Sequence, residues 1–238
     1  MFNRKKNKTK FATRPQPVSL ISLLDSRSNI TEQYRTIRTN VQFASSSDHP
    51  IKSIVVTSAG PSEGKSTTAA NLAVVFAKSG QKVLLVDADM RKPTVWRSFK
   101  LNNEQGLSTL LVSANDVTQA IQKTVIEELD ILTSGPKPPN PSELLGSKRK
   151  DEVLLQLNYL YDIIIMDMPP VVTVTDAQIM ASKADGTILV TRENMSDKTD
   201  LIKAKELLDI AHARILGVVY NCVANTKERN DYYGAFAK

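Results

Sequence analysis

Lys65 and Ser66 stand at the end of a Gly-bearing loop, Ala59-Gly60-Pro61-Ser62-Glu63-Gly64-Lys65-Ser66-Thr67, directly after the apolar run Ile54-Val55-Val56. Such a turn points successive backbone N–H groups at one place, and the helix that it opens adds positive potential there. The occupant that fits is a polyphosphate, cradled by Gly60, Pro61, Ser62, Glu63, Gly64, Lys65, Ser66 and Thr67. Lys65 would reach the β- and γ-phosphates of a nucleoside triphosphate, and the Ser66 hydroxyl would hold Mg²⁺. Ala59 replaces the first glycine of the strict pattern, and as the smallest substitute it still lets the loop close. Three carboxylates complete the set. Asp87 and Asp89 follow Val83-Leu84-Leu85-Val86, and Asp167 follows Ile163-Ile164-Ile165-Met166. Phosphoryl transfer needs this equipment: a metal between the phosphates, carboxylates to hold it, and a base near the attacking oxygen. Mg²⁺ is commonly held by few protein carboxylates with retained waters, which suits so sparse a set.

These residues need a scaffold that brings separate strand ends to one rim. Strands are expected at residues 53–57, 82–86, 129–132, 162–166, 187–190 and 215–220, most of them short apolar runs without polar alternation. That is the pattern of parallel strands covered on both faces. Helical periodicity lies between them, at 66–79, 117–123, 142–145, 151–159, 176–182 and 197–211, and before them at 31–44, with Asn29 or Thr31 near the cap. The alternation predicts an α/β fold with a doubly wound, mostly parallel sheet flanked by helices. Ligands of such sheets sit outside the carboxyl ends of the strands, where Asp87, Asp89 and Asp167 fall. Asp87 and Asp89 are two apart, so extended backbone would turn both to one side. Arg91 and Lys92 either stabilise transferred charge or form a solvated pair.

With 238 residues and 41% hydrophobic content, the chain has enough material for one full core. The net charge of +6 is concentrated at one end, in Arg4, Lys5, Lys6, Lys8, Lys10 and Arg14, with no acid among residues 1–14. The expected division is a basic flexible arm over 1–28, a nucleotide-binding domain over 29–224 and a flexible tail over 225–238. The domain is near neutral, so no nucleic-acid-binding face is expected. The basic arm reads as solvated chain, or as a patch attracted to anionic lipid. A lone Cys222 argues for a reduced compartment, and one Cys with two scattered His residues argues against a metal centre of those types. No leader peptide and no apolar run long enough to span a bilayer is present, so the chain is expected in the cytoplasm.

Taken together, the loop 59–67, the stretch Asp87-Ala88-Asp89-Met90-Arg91-Lys92-Pro93 and Asp167-Met168-Pro169-Pro170 resemble the Walker A, Walker A′ and Walker B motifs of bacterial tyrosine kinases. Those are cytoplasmic kinases linked to capsular and exopolysaccharide synthesis, on a P-loop fold of the partitioning-ATPase-like superfamily. Ser134-Gly135-Pro136-Lys137-Pro138-Pro139-Asn140-Pro141 and Glu32-Gln33-Tyr34-Arg35-Thr36-Ile37-Arg38 match as well, so the resemblance runs from about Glu32 to the C-terminus. It implies ATP and Mg²⁺ as cofactors, with Lys65 on the phosphates and Ser66, Asp87 and Asp167 organising the metal. It implies Asp89 as the base toward a tyrosine hydroxyl. Met168 stands where relatives often carry a threonine, which removes a hydroxyl and leaves the carboxylate.

The resemblance also gives meaning to both flanks of the domain. The tail, polar and aperiodic over its 14 residues, holds Tyr232 and Tyr233 as candidate phosphoacceptors. Extended, it reaches roughly 45–50 Å, enough to enter a neighbouring subunit's site. Glu32, Arg35 and Arg38 recur every three residues on a predicted helix and share a face. In the family this spacing marks a contact in a ring-shaped homo-oligomer. Single-domain relatives also rely on a separate membrane protein whose cytoplasmic segment activates the kinase, which would recruit this chain to the inner face of the membrane. The expected function is an ATP-dependent protein-tyrosine kinase that phosphorylates its own tail, between subunits, and other proteins. The alternative is a partitioning or positioning ATPase, a nucleotide-switched binding protein. Those usually carry a signature lysine five residues before the loop lysine, where this chain has Gly60.

Overall fold

The computed structural model describes residues 17–224; Tyr232, Tyr233 and the basic cluster at 4–14 lie outside the described residues. In chain order the elements are α1 (Ile21–Leu24), α2 (Asn29–Ala44), β1 (Ser53–Ser58), α3 (Lys65–Ala77), β2 (Val83–Asp87), α4 (Val95–Ser98) and α5 (Leu107–Val112). Then follow β3 (Ile121–Lys123), β4 (Leu129–Leu132), α6 (Pro141–Leu145), α7 (Lys148–Leu160), β5 (Ile163–Asp167), α8 (Asp176–Ala181), β6 (Gly186–Arg192), α9 (Lys198–Ile210) and β7 (Ile215–Asn221). The strands form one sheet in the order β3-β4-β2-β5-β1-β6-β7, parallel except for the edge strand β3.

Strand alternation divides the core into two layers. Val55, Leu84, Val86, Ile164 and Met166 face a cluster built with α5, α7, α8 and α9. Their neighbours Ile54, Val56, Val83, Leu85, Ile163 and Ile165 face the layer of α1–α4. Successive side chains of a strand point to opposite faces, so a strand buried on both must be apolar throughout. Helix α3 is buried over nearly its whole length, with Ala69, Ala70, Ala73 and Ala77 letting sheet and α2 approach closely. Each large aliphatic side chain removed from water here contributes about 1.5–3 kcal/mol.

Two departures from the sequence expectations have clear physical causes. Residues 117–123 do not form a helix. A single 3₁₀ turn, Val117–Gln119, capped by the Asp116 carboxylate at the Thr118 N–H (2.8 Å), leads into β3. The segment is too short and too rich in β-branched residues for a stable helix, and Gln122 and Lys123 gain pairing with Ile131 and Asp130. The second departure lies in the stretch assigned to a flexible arm. Its described part, residues 17–28, packs on α3: buried Asn71 donates to the Ser19 carbonyl (2.7 Å) and accepts from the Ser22 N–H (2.9 Å), and Lys78 Nζ donates to the Ser22 carbonyl (2.6 Å). The cap of α2 is Ser28, whose hydroxyl accepts from the Thr31 N–H, so Asn29 and Thr31 stand beside the cap as expected.

Candidate active site

Parallel pairing brings the chemistry to one rim. Asp87 and Asp167 end adjacent strands in direct register, and Val56 of β1 is registered with Asp167 on its other side. The Ala88 N–H donates to the Asp167 carbonyl and the Met168 N–H to the Val56 carbonyl, each at 3.0 Å, so the pairing extends one residue past the strands. Beyond β1 the chain makes the loop of residues 59–64. Ser58 Oγ donates to the Gly60 carbonyl at 2.7 Å, Ser62 adopts φ 63° and Gly64 adopts φ 99°. Gly64 caps α3, and a Cβ there would lie 2.0 Å from Asn221 Nδ2, so only glycine fits. Ala59 is buried in the apolar layer beside Val55, which explains how alanine serves in place of glycine.

Lys65, at the first turn of α3, is the cation of the cluster. Its Nζ donates to Asp89 Oδ2 at 2.9 Å and lies 3.8 Å from Asp167 Oδ1 and 3.4 Å from Ser66 Oγ. Asp87 and Asp167 are fully buried. Asp87 Oδ2 accepts from the Thr94 and Val95 N–H groups at 3.1 and 3.0 Å, while Asp87 Oδ1 and both oxygens of Asp167 accept no well-formed hydrogen bond. Burial pushes the Asp167 carboxyl up to about 6 against the pull of Lys65 and the nearby Ser66 hydroxyl. Burial, then the charge of Asp167, holds Asp87 well above the usual carboxylate range. Burial alone would lower the Lys65 ammonium, but the charges of Asp167, Asp89 and Asp87 outweigh it and raise its pKa. The rim therefore offers unpartnered buried carboxylate oxygens beside a hydroxyl, the donor set that a hard divalent cation takes. Among the described residues no group of three or more His, Cys, Asp or Glu side chains forms a metal cage by itself. Any cation would thus share its shell with phosphate or water.

The remaining residues singled out in the sequence are placed as follows. Pro61, Ser62 and Glu63 form the crest of the loop, and Ser66 and Thr67 lie in the first turn of α3. Arg91 is not a free charge, although its side chain is 35% exposed. It grips buried Asp176 with two hydrogen bonds of 2.9 Å and donates to Ser142 Oγ at 3.0 Å, tying the loop after β2 to α8 and α6. Glu32, Arg35 and Arg38 lie along α2. Arg35 pairs with Glu32 and donates to the Ser26 carbonyl at 3.0 Å, and Arg38 donates to the Val75 carbonyl of α3 at 2.9 Å. Sequence reasoning missed Asp176, Ser142, Arg192, Ser196 and Asn221 as neighbours of the site. No local spacing signals them, because the fold brings them in from more than 50 residues away.

Fold and rim together define a P-loop nucleotide-binding α/β protein. A family model described as AAA domain matches residues 51–206. The tyrosine-protein kinase YwqD of Bacillus subtilis (strain 168) is 48% identical over 217 residues, covering 91% of each chain. Among solved structures, the chimerical protein CapA2B2 superposes with a TM-score of 0.83 at 43% identity, covering 89% of this chain and 94% of that one. The kinase domain of the Escherichia coli tyrosine kinase ETK does so with a TM-score of 0.83 at 31% identity, covering 90% and 83%. The chain belongs to the bacterial tyrosine-protein kinase family. Among the described residues no helix is long and apolar enough to cross a membrane.

Proposed function

We propose that this chain transfers the γ-phosphoryl group of Mg²⁺-bound ATP to tyrosine hydroxyls, among them Tyr232 and Tyr233 in the tail of a neighbouring copy. The observation that carries the reading is the Lys65–Asp89 pair at 2.9 Å, set between the phosphate loop and the buried carboxylates of Asp87 and Asp167. The loop residues Gly60 to Thr67 orient the phosphates. Lys65 draws toward the β- and γ-phosphates, which releases Asp89 Oδ2 to accept the phenol proton. A tyrosine with an ordinary pKa near 10 is almost wholly protonated at neutral pH, so a positioned carboxylate matters. Ser66, Asp87 and Asp167 would hold Mg²⁺, which when bound would neutralise charge developing on the phosphoryl oxygens. The unpartnered oxygens of Asp87 and Asp167 support that assignment.

The same reading extends to assembly. Glu32, Arg35 and Arg38 on α2 serve as a subunit contact in a homo-oligomer, a ring that sets each tail beside the next site. A separate membrane protein supplies an activating cytoplasmic segment and recruits the chain to the inner face of the membrane. The names of the relatives support the catalytic part, and the family's link to capsule and exopolysaccharide synthesis supports a role in that process, with other tyrosine-bearing proteins as further substrates. Phosphorylation of the tail adds charge and strong acceptors that would loosen the ring.

The test is incubation with γ-labelled ATP and Mg²⁺, with and without a candidate activating segment, followed by mapping of the label. Phosphate on Tyr232 or Tyr233, lost in Lys65→Met and Asp89→Ala, is the expected result. Hydrolysis with no phosphotyrosine on tail or added protein would point instead to a nucleotide-switched binding protein.

A further inference from the structure

The crest of the phosphate loop is not held by the loop itself. Ser62 sits in the left-handed region at φ 63°, a strained conformation that a non-glycine residue keeps only where its surroundings enforce it. Glu63 beside it is almost wholly buried, at 3% exposure, although it sits on a surface loop. Its Oε1 accepts a hydrogen bond from Ser196 Oγ at 2.6 Å, and Oε2 is buried without a partner. Ser196 Oγ in turn accepts from the Arg192 N–H at 2.8 Å, and Arg192 Nη1 donates to the Ser62 carbonyl at 3.1 Å. From the end of β7, Asn221 Nδ2 donates to the Glu63 carbonyl at 3.2 Å. Two consecutive peptide carbonyls and one carboxylate of the crest are thus gripped from elements about 130–158 residues further along the chain.

A buried carboxylate with one oxygen unpartnered is a poor stability device, because its desolvation is only partly offset. What it does secure is geometry. Holding the Ser62 and Glu63 carbonyls fixes the peptide planes on either side of Glu63, and those planes decide where the loop N–H groups point.

We propose that Glu63 is a positioning residue rather than a phosphate ligand: with Ser196, Arg192 and Asn221 it locks the crest of the loop in its phosphate-binding shape. The brace has a second consequence. Asn221 also accepts from the Glu193 N–H through its carbonyl (3.0 Å), and Glu193 accepts from the Ala224 N–H (2.6 Å), at the last described residue before the tail. The root of the tail and the phosphate loop therefore share one hydrogen-bonded unit, and whatever shifts the one biases the other.

The proposal rests on the reading of the loop as a nucleotide site, and the experiment separates the two. Binding of a fluorescent ATP analogue with Mg²⁺ is titrated to the full chain and to Glu63→Gln, Glu63→Ala, Ser196→Ala and the Glu63→Ala/Ser196→Ala pair, and transfer is followed in parallel. Glu63→Gln keeps an oxygen for Ser196 and binds within about threefold of the parent. Glu63→Ala and Ser196→Ala each weaken binding about tenfold, as expected for loss of one charge-assisted hydrogen bond, and raise the KM for ATP while kcat changes little. The double variant is no weaker than the worse single one, since both lose the same contact. Ser196→Ala at a partly exposed turn carries the test alone if Glu63→Ala does not fold. Parent-like binding by Ser196→Ala, additive losses in the double variant, or Glu63→Gln as weak as Glu63→Ala would each overturn the brace. A parent chain that binds no nucleotide at all would overturn the site reading beneath it.

Discussion

Carboxylates toward the two ends of one sheet are treated in opposite ways. Near the N-terminal ends, Asp130 of β4 is 5% exposed, and its Oδ2 accepts from both Tyr161 Oη at 2.7 Å and Lys123 Nζ at 2.8 Å. At the C-terminal ends, Asp87 and Asp167 are more deeply buried, face each other's charge, and leave three oxygens without a hydrogen bond. Asp176 lies close to that second group yet follows the first pattern, clasped by Arg91 and by Ser142 Oγ at 2.7 Å. A buried charge with partners serves the architecture. A buried carboxylate oxygen left unpartnered is held against its own solvation, and on Asp87 and Asp167 it lies beside the phosphate loop, where a cation would complete it. The contrast sorts four buried aspartates into two clasped by side-chain donors, Asp130 and Asp176, and two that keep unpartnered oxygens at the rim, Asp87 and Asp167.

The sharpest way to break that division is Asp167→Asn. Phosphoryl transfer should fall about 10²–10³-fold or more, on the scale of losing one preorganised electrostatic contact. In metal-free buffer at pH 7 the same change should stabilise the fold by about 1–2 kcal/mol, because a desolvated buried charge is removed while Lys65 keeps Asp89. The sign follows from the carboxyl held at about 6 against an ordinary 3.8. A raised acid binds its proton more tightly folded than unfolded, so its contribution to stability is full below about pH 4 and is lost as pH rises through about 6. The advantage of Asp167→Asn over the parent should therefore be large at pH 7 and close toward pH 4, as read by urea titration with a chelator present. A variant less stable than the parent at pH 7 would put Asp167 with the structural carboxylates. Asp176→Asn should behave in the opposite sense, costing about 2 kcal/mol at pH 7. That is below the range for a fully buried pair, because the Arg91 side chain is 35% exposed.

The placement of Asp87 and Asp167 at the rim was legible in the sequence. Gly64, Lys65 and Ser66 declare themselves by local spacing, and Asp87 and Asp167 by following apolar runs that can only be inner strands. Each signal lies within about ten residues, and strand alternation suffices to carry it to the correct rim. What sequence could not supply is pairing across distance. Nothing in Asp89-Met90-Arg91 says that the guanidinium turns to Asp176, 85 residues on, instead of to a phosphate. Nothing in Ser62-Glu63 says that the carboxylate turns to Ser196, 133 residues on. The misread at 117–123 has the same root. Its helical periodicity is real, but the pairing that overrides it comes from β4, and tertiary pairing outweighs so short a local preference.

The smallest expected effect probes the satisfied end of the comparison. Tyr161→Phe removes one of the two donors on Asp130 Oδ2 and leaves Lys123, whose side chain is 80% exposed and whose ion pair is largely screened. Burial and then the bond to Asp130 raise the Tyr161 hydroxyl well above its ordinary 10, so it stays protonated, and a donor, across the working range. The loss should be about 1–2 kcal/mol in denaturant titration, one charge-assisted hydrogen bond at a partly buried site. Nucleotide binding should be unchanged, because Asp130 lies near the opposite ends of the strands. The cost should also be flat from pH 6 to pH 8, where the raised phenol does not change state. If Tyr161→Phe instead weakened Mg²⁺-nucleotide binding, the two ends of the sheet would be coupled, and partner count alone would no longer separate the carboxylates that hold the fold from those placed to meet a ligand.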